Sequence, residues 1–170
     1  MEGATFFSKG QWIVHHYYGV GQITGIENKS LDGNEVSYYT VDTRNSRYWI
    51  PVESEDSSRL RPLSSPAEIK KIISILERRP KEMDPDHLQR KRVIREVLSN
   101  GSLTEMAQLI RDLTARQHAK KLNPTEEDAL DRFKDGLIRE WAVSMKTDME
   151  EARDIFQKCL QKSLGKAAAA

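Results

Sequence analysis

From Ser64 onward the sequence changes period, and that change constrains the fold more than any other feature. Ser65-Pro66-Ala67-Glu68 has the form of a capping box with proline at the first helical position. Ile69, Ile72, Ile73 and Leu76 follow it three and four apart, as one face of a helix requires. Ser102-Leu103-Thr104-Glu105 opens a second run, with Met106, Leu109, Ile110 and Leu113 on one face. Asn123-Pro124-Thr125-Glu126 opens a third, with Leu130, Phe133, Leu137 and Trp141 inward. Thr147-Asp148-Met149-Glu150 opens a fourth, carrying Ala152, Ile155, Phe156, Cys159 and Leu160. Residues 85–98 read as a further helix, capped by Asp84 and stopped by Asn100-Gly101. These signals predict an all-α bundle of about five helices over residues 65–164, with 165–170 a disordered tail.

Before Ser64 the residues favour strands. QWIVHH, GQITGIE, NEVSYYTVDT and SRYWIP are short runs rich in Val, Ile, Tyr, Thr and Trp. Gly19 and Gly21 separate the first pair and read as turn or bulge positions. Asp32-Gly33 separates the second, a strong hairpin signal because a type I′ turn needs two positive φ angles. Arg44-Asn45 separates the third, and RLRPL at 59–63 supplies a fifth strand. The expectation is a small, strongly bent five-stranded β-barrel over residues 1–64. The fold class is therefore two-domain α+β, with a Tudor-like barrel followed by a helical bundle.

Composition fits a soluble globular chain. Of 170 residues, 31% are charged and 38% apolar, and no apolar run approaches the roughly 18 residues of a membrane span. MEGATFFSKG lacks the basic start and apolar core of a signal peptide. The single cysteine, Cys159, forms no internal disulfide and suits a reducing compartment, so a cytoplasmic location is expected. The net charge of +1 conceals 6 Lys+Arg against 8 Asp+Glu over residues 1–65, and 21 against 18 over 66–170. Neither half is a strong polyelectrolyte, so nucleic-acid affinity must come from a local patch.

Enzymatic constellations are missing. His15 and His16 are neighbours on a strand and face opposite sides, so they cannot share a metal. His87 and His118 lie on separate helical segments, and Cys159 has no nearby cysteine, which argues against zinc. The Gly-Val-Gly of 19–21 precedes a strand, so no helix N-terminus is available to hold a phosphate. No serine sits in a G-x-S-x-G elbow. Paired carboxylates occur at helix starts such as Glu126-Glu127-Asp128, where compensation of the helix dipole explains them. No cofactor, small-molecule substrate or membrane partner is expected, and the chain is expected to be a monomer.

Two polar features remain. Residues 87–95 hold Arg90, Lys91, Arg92 and Arg95 without an acid. Arg92 and Arg95 share a face, and Lys91 adjoins Arg95 at spacing four, which suits either a grip on adjacent phosphates or a solvated helix face. Arg116, Lys120 and Lys121 form a weaker patch at a helix end, where basic charge also suits the macrodipole. Among Trp12, Tyr48 and Trp49, some must fill the barrel core. Tyr48 and Trp49 are adjacent in a strand, so either one points outward beside an edge or both are buried at the sheet ends.

A barrel opening with Gly10, Ile13, Val14, Gly19, Gly21, Ile23, Ile26 and Glu27 at these spacings resembles the CarD/CdnL family of bacterial transcription regulators. The same barrel is the RNA-polymerase-interacting module of transcription-repair coupling factor. The likeness continues through Tyr38-Tyr39 and Ile50-Pro51-Val52-Glu53, then Arg92, Glu96, Leu98 and Gly101, the stretch 109–113, and loosely Ile138 and Glu140. It implies a barrel that binds the lobe of the RNA polymerase β subunit, with Lys29, Tyr48, Trp49 and Pro51 as the expected contacts. It further implies a helical domain that touches promoter DNA at the upstream edge of the bubble and stabilises the open complex. The expected DNA contacts are His87, Arg90, Lys91, Arg92 and Arg95, with His87 at the position of the family's wedge tryptophan. The alternative is a protein adaptor without productive DNA contact.

Overall fold

The computed structural model describes residues 7–54 and 57–169. The chain forms two compact units, Met1–Leu63 and Ser64–Ala170.

The first unit contains β1 (Trp12–His15), β2 (Gly19–Leu31), β3 (Asn34–Asp42), β4 (Arg47–Pro51) and β5 (Leu60–Pro62). They form one antiparallel sheet in the order β4-β3-β2-β1-β5. All five strands feed a single apolar cluster through Ile13, Ile23, Tyr39, Val41, Ile50 and Leu60. A sheet whose every strand reaches the same core must curl around it, which makes the unit barrel-like. Neither barrel tryptophan fills that core: Trp12 and Trp49 are 40% and 43% exposed, and Tyr39 is fully buried instead.

The Asp32-Gly33 hairpin forms as its residues dictate, with φ of 51° and 85°. Because that turn closes directly on Leu31 and Asn34, β2 runs four residues past the Glu27 at which the sequence pattern ends. Gly19 takes a positive φ of 74° at the first turn. Gly21 differs from expectation, since it is neither a turn nor a bulge but a strand residue paired with Ile13. A Cβ there would lie 2.6 Å from Val41 Cγ1 and 3.2 Å from the Asp42 carbonyl oxygen. Glycine is required at position 21 by close approach, not by backbone conformation. The bulge sits further on, between Ile23 and Gly25. His15 points inward, where its Nδ1 accepts the backbone N–H groups of Tyr17 at 3.0 Å and Tyr18 at 3.2 Å.

The second unit contains α1 (Pro66–Leu76), α2 (His87–Asn100), α3 (Leu103–Ala119), α4 (Pro124–Met145) and α5 (Met149–Ala168). Full capping boxes open α1 at Ser65/Glu68 and α4 at Asn123/Glu126. The helices share one core that includes Ile69, Leu76, Ile110, Leu113, Phe133 and Trp141. Ser64 belongs to this unit and not to the barrel: its N–H donates to the Glu140 carboxylate at 3.0 Å, and its carbonyl accepts from the Ser144 hydroxyl at 2.6 Å.

Three details depart from the sequence pattern. The cap of α2 is Asp86, whose carboxylate accepts from Leu88 N–H at 2.9 Å, while Asp84 turns back onto Asp86 N–H at 2.8 Å. The carbonyls of Asp84 and Pro85 are taken by Arg90, which holds that segment outside the helix. The cap of α5 is Asp148, whose carboxylate accepts from Glu151 N–H at 2.8 Å, so the helix is capped one residue later than Thr147 and without a full box. Residues 165–168 are helical and not a disordered tail: alanine is the strongest helix former, and Lys166 Nζ donates to the Glu77 carbonyl at 2.6 Å. Among the described residues, no helix is long and apolar enough to cross a membrane.

Candidate functional site

On the barrel, the ladder aligns Glu27 with Tyr38 and Pro51, and Gly25 with Thr40 and Trp49. Strand alternation therefore places Glu27, Lys29, Tyr38, Trp49 and Pro51 on one face, opposite Tyr39 and Ile50 in the core. Trp49 Nε1 donates to the Glu27 carboxylate at 3.2 Å, and Lys29 Nζ lies 4.0 Å from the Trp49 ring centroid. The indole is thus held in an exposed position, with an anion at its edge and a cation on its face. A half-exposed tryptophan with a charged rim has the make-up of an interface anchor. Its strand, β4, is an edge of the sheet and pairs only with β3 among the described strands, so its outer backbone can accept an added strand.

Tyr48 does not join this face. It packs against the barrel core and stacks on Tyr18, which stacks in turn on His15, with both ring pairs 4.6 Å apart. Burial, with a smaller contribution from Tyr18, pushes the Tyr48 hydroxyl well above its ordinary pKa. Of the four expected polymerase contacts, Lys29, Trp49 and Pro51 come together and Tyr48 is withdrawn by strand alternation.

On the helical unit, α2 divides its basic residues. Arg90 is only 5% exposed and faces inward. Its Nε donates to the Glu126 carboxylate, and one terminal nitrogen donates to the Asp84 and Pro85 carbonyls, both at 2.8 Å. The Glu126 carboxylate also accepts Asn123 N–H at 3.1 Å, and Arg116 Nε lies 3.7 Å from it. Burial pushes the Glu126 carboxyl up, but the Arg90 and Asn123 hydrogen bonds and the Arg90 and Arg116 charges outweigh it and hold the pKa below the usual glutamate range. Arg90, expected as a DNA contact, is instead a scaffold residue: an arginine this buried and engaged cannot reach a phosphate.

Lys91, Arg92 and Arg95 are exposed. Arg92 donates to Glu96 one turn on, at 3.0 Å. Lys91 and Arg95 make no ion pair among the described residues. His87 is the first residue of α2, exposed, with Nδ1 3.7 Å from the Asp86 carboxylate. Beside it, Leu88 is 61% exposed. His87, Leu88 and Lys91 border a cleft of about 300 Å³ whose other wall is Asn123–Glu126. Sequence reasoning missed Leu88 and Glu126. Leu88 was detectable, because it falls out of phase with the inward positions Arg90, Ile94 and Val97. Glu126 was not, because its capping-box role already accounts for an acid at that position.

The comparisons with known proteins agree with this architecture. The family model described as "CarD-like/TRCF RID domain" matches residues 7–64, and "CarD, C-terminal domain" matches residues 71–157. "Putative transcription factor YdeB" of Bacillus subtilis (strain 168) is 29% identical over 139 residues, covering 81% of this chain and 91% of that protein. With barrel and helical models matched in order along one chain, the protein belongs to the CarD-like family.

Proposed function

We propose that this CarD-like chain is a transcription regulator that binds the β-subunit lobe of RNA polymerase through the Trp49 face. In the same reading it grips promoter DNA near the upstream bubble edge through α2 and stabilises the open complex. The observation that carries the reading is the division of α2. Lys91 and Arg95 stand exposed one turn apart with no ion pair among the described residues, on a helix that the Arg90–Glu126 pair ties to α4. Exposed cations at this spacing suit successive phosphates of a backbone, and each phosphate neutralised adds salt-dependent affinity. His87 and Leu88 add an exposed imidazole and an apolar side chain at the same end of the helix. The polymerase contact at Trp49 is apolar in character, with Lys29 and Glu27 setting the ring's orientation.

Two observations favour a second reading, a polymerase-bound adaptor without productive DNA contact. Arg90 is withdrawn from the surface, and Arg92 is offset by Glu96. The polymerase half of the proposal is tested by capturing core polymerase on the full chain. Capture that is lost with Trp49→Ala supports it, and undiminished capture by that variant refutes it.

A further inference from the structure

The helical unit has a second cleft, on the side of α2 away from Lys91 and Arg95. It opens between α2, α3 and residues 81–84, encloses about 340 Å³, and has an apolar floor that includes Met83, Val97 and Leu109. Val93 is 43% exposed at its mouth. The rim is acidic: Glu82, Asp84, Glu96, Glu105 and Asp112 line it, against Lys81 and Arg90. Arg92 compensates Glu96, Arg111 compensates Asp112, and Arg90 is engaged by Glu126. Glu82, Asp84 and Glu105 have no compensating ion pair among the described residues.

These carboxylates ring the cleft without converging. Among the described residues, no group of three or more His, Cys, Asp or Glu could hold a metal ion. The occupant must therefore present several separated positive charges, and an apolar group for the floor. Nucleic acid is repelled by such a rim, and a purely cationic chain leaves the exposed Val93 uncovered. At 100° per residue, Val93 and Asn100 lie on the opposite side of α2 from Lys91 and Arg95.

We propose that this cleft docks a basic amphipathic segment of a protein partner. An apolar side chain covers Val93 at the mouth of the cleft, and lysines or arginines face Glu82, Asp84 and Glu105. The inference does not depend on DNA binding, because it uses the other side of α2.

The test is a methyl NMR titration of the full chain with a synthetic peptide in which arginines flank leucines at helical spacing, and with an oligolysine of equal charge. The arginine–leucine peptide is expected to shift the Val93, Val97 and Leu109 methyls saturably, and oligolysine is not. Glu82→Lys/Glu105→Lys should weaken the peptide by about tenfold or more, as like charges replace opposite ones. Val93→Glu, a single change at an exposed position, should also abolish the apolar contact at the mouth. Lys91→Glu/Arg95→Glu should leave the affinity unchanged. Absence of shifts at these methyls overturns the proposal. So does an equal response to oligolysine, or binding unaffected by both cleft variants.

Discussion

Arg90 and Glu126, 36 residues apart, form a buried ion pair that fastens α2 to the first turn of α4. Removing one partner strands the other charge away from water, which costs about 3–5 kcal/mol. Glu126→Gln is thus expected to lower unfolding free energy by an amount in that range in urea titrations. Its pH dependence has a fixed sign. The folded pKa lies below the usual 4.5, so the pair's contribution is present above that value and is lost as pH falls through the folded pKa. The gap between wild type and Glu126→Gln should close in acid and stay constant near neutrality.

Lys91→Ala and Arg95→Ala should separate binding from folding. Both side chains are exposed, so stability should change by no more than about 0.5 kcal/mol. Each should reduce the slope of log affinity against log salt by about 0.9 on duplex DNA. Arg90→Ala should do the reverse, lowering stability without a comparable change in slope once folded protein is selected.

Tyr48 tests the separation of the two barrel faces. Its hydroxyl is buried without a hydrogen-bond partner among the described residues. Tyr48→Phe removes that polar group and should leave stability unchanged or raise it by up to about 1 kcal/mol. Polymerase capture should be unaffected, in contrast to Trp49→Ala.

Gly21→Ala should destabilise the barrel by about 1–3 kcal/mol, since the new methyl meets Val41 and the Asp42 carbonyl. Gly25→Ala in the same strand meets nothing within 4 Å and serves as the control. Thermal melts of the two variants side by side decide the matter.

Cys159 is buried on α5, and burial with the Glu77 carboxylate nearby pushes its thiol up to about 11. Alkylation by iodoacetamide near neutral pH should be slow in the folded chain and fast in urea.

The elements themselves were legible in the sequence because capping residues, Asp-Gly and alternating β-formers act locally. Ser65/Glu68, Asn123/Glu126 and Asp32-Gly33 each do in the structure what their chemistry dictates. The division of the basic cluster was not legible. Arg90, Lys91 and Arg92 are consecutive, and only the partner 36 residues away decides which of them turns inward. Gly21 failed for the same reason: a close approach from Val41 leaves no trace in the local sequence. Asp84 and Asp86 show a finer limit, since both are competent caps and Arg90, itself held by Glu126, takes the Asp84 and Pro85 carbonyls.

The outer face of α2 is proposed to hold promoter DNA while polymerase is bound. The direct measurement is the lifetime of the open complex on a fork-junction promoter, with wild-type chain and with Lys91→Glu/Arg95→Glu at equal polymerase occupancy. A shorter lifetime with the variant is the predicted result. An unchanged lifetime, with polymerase still bound, would contradict the account and leave the chain an adaptor.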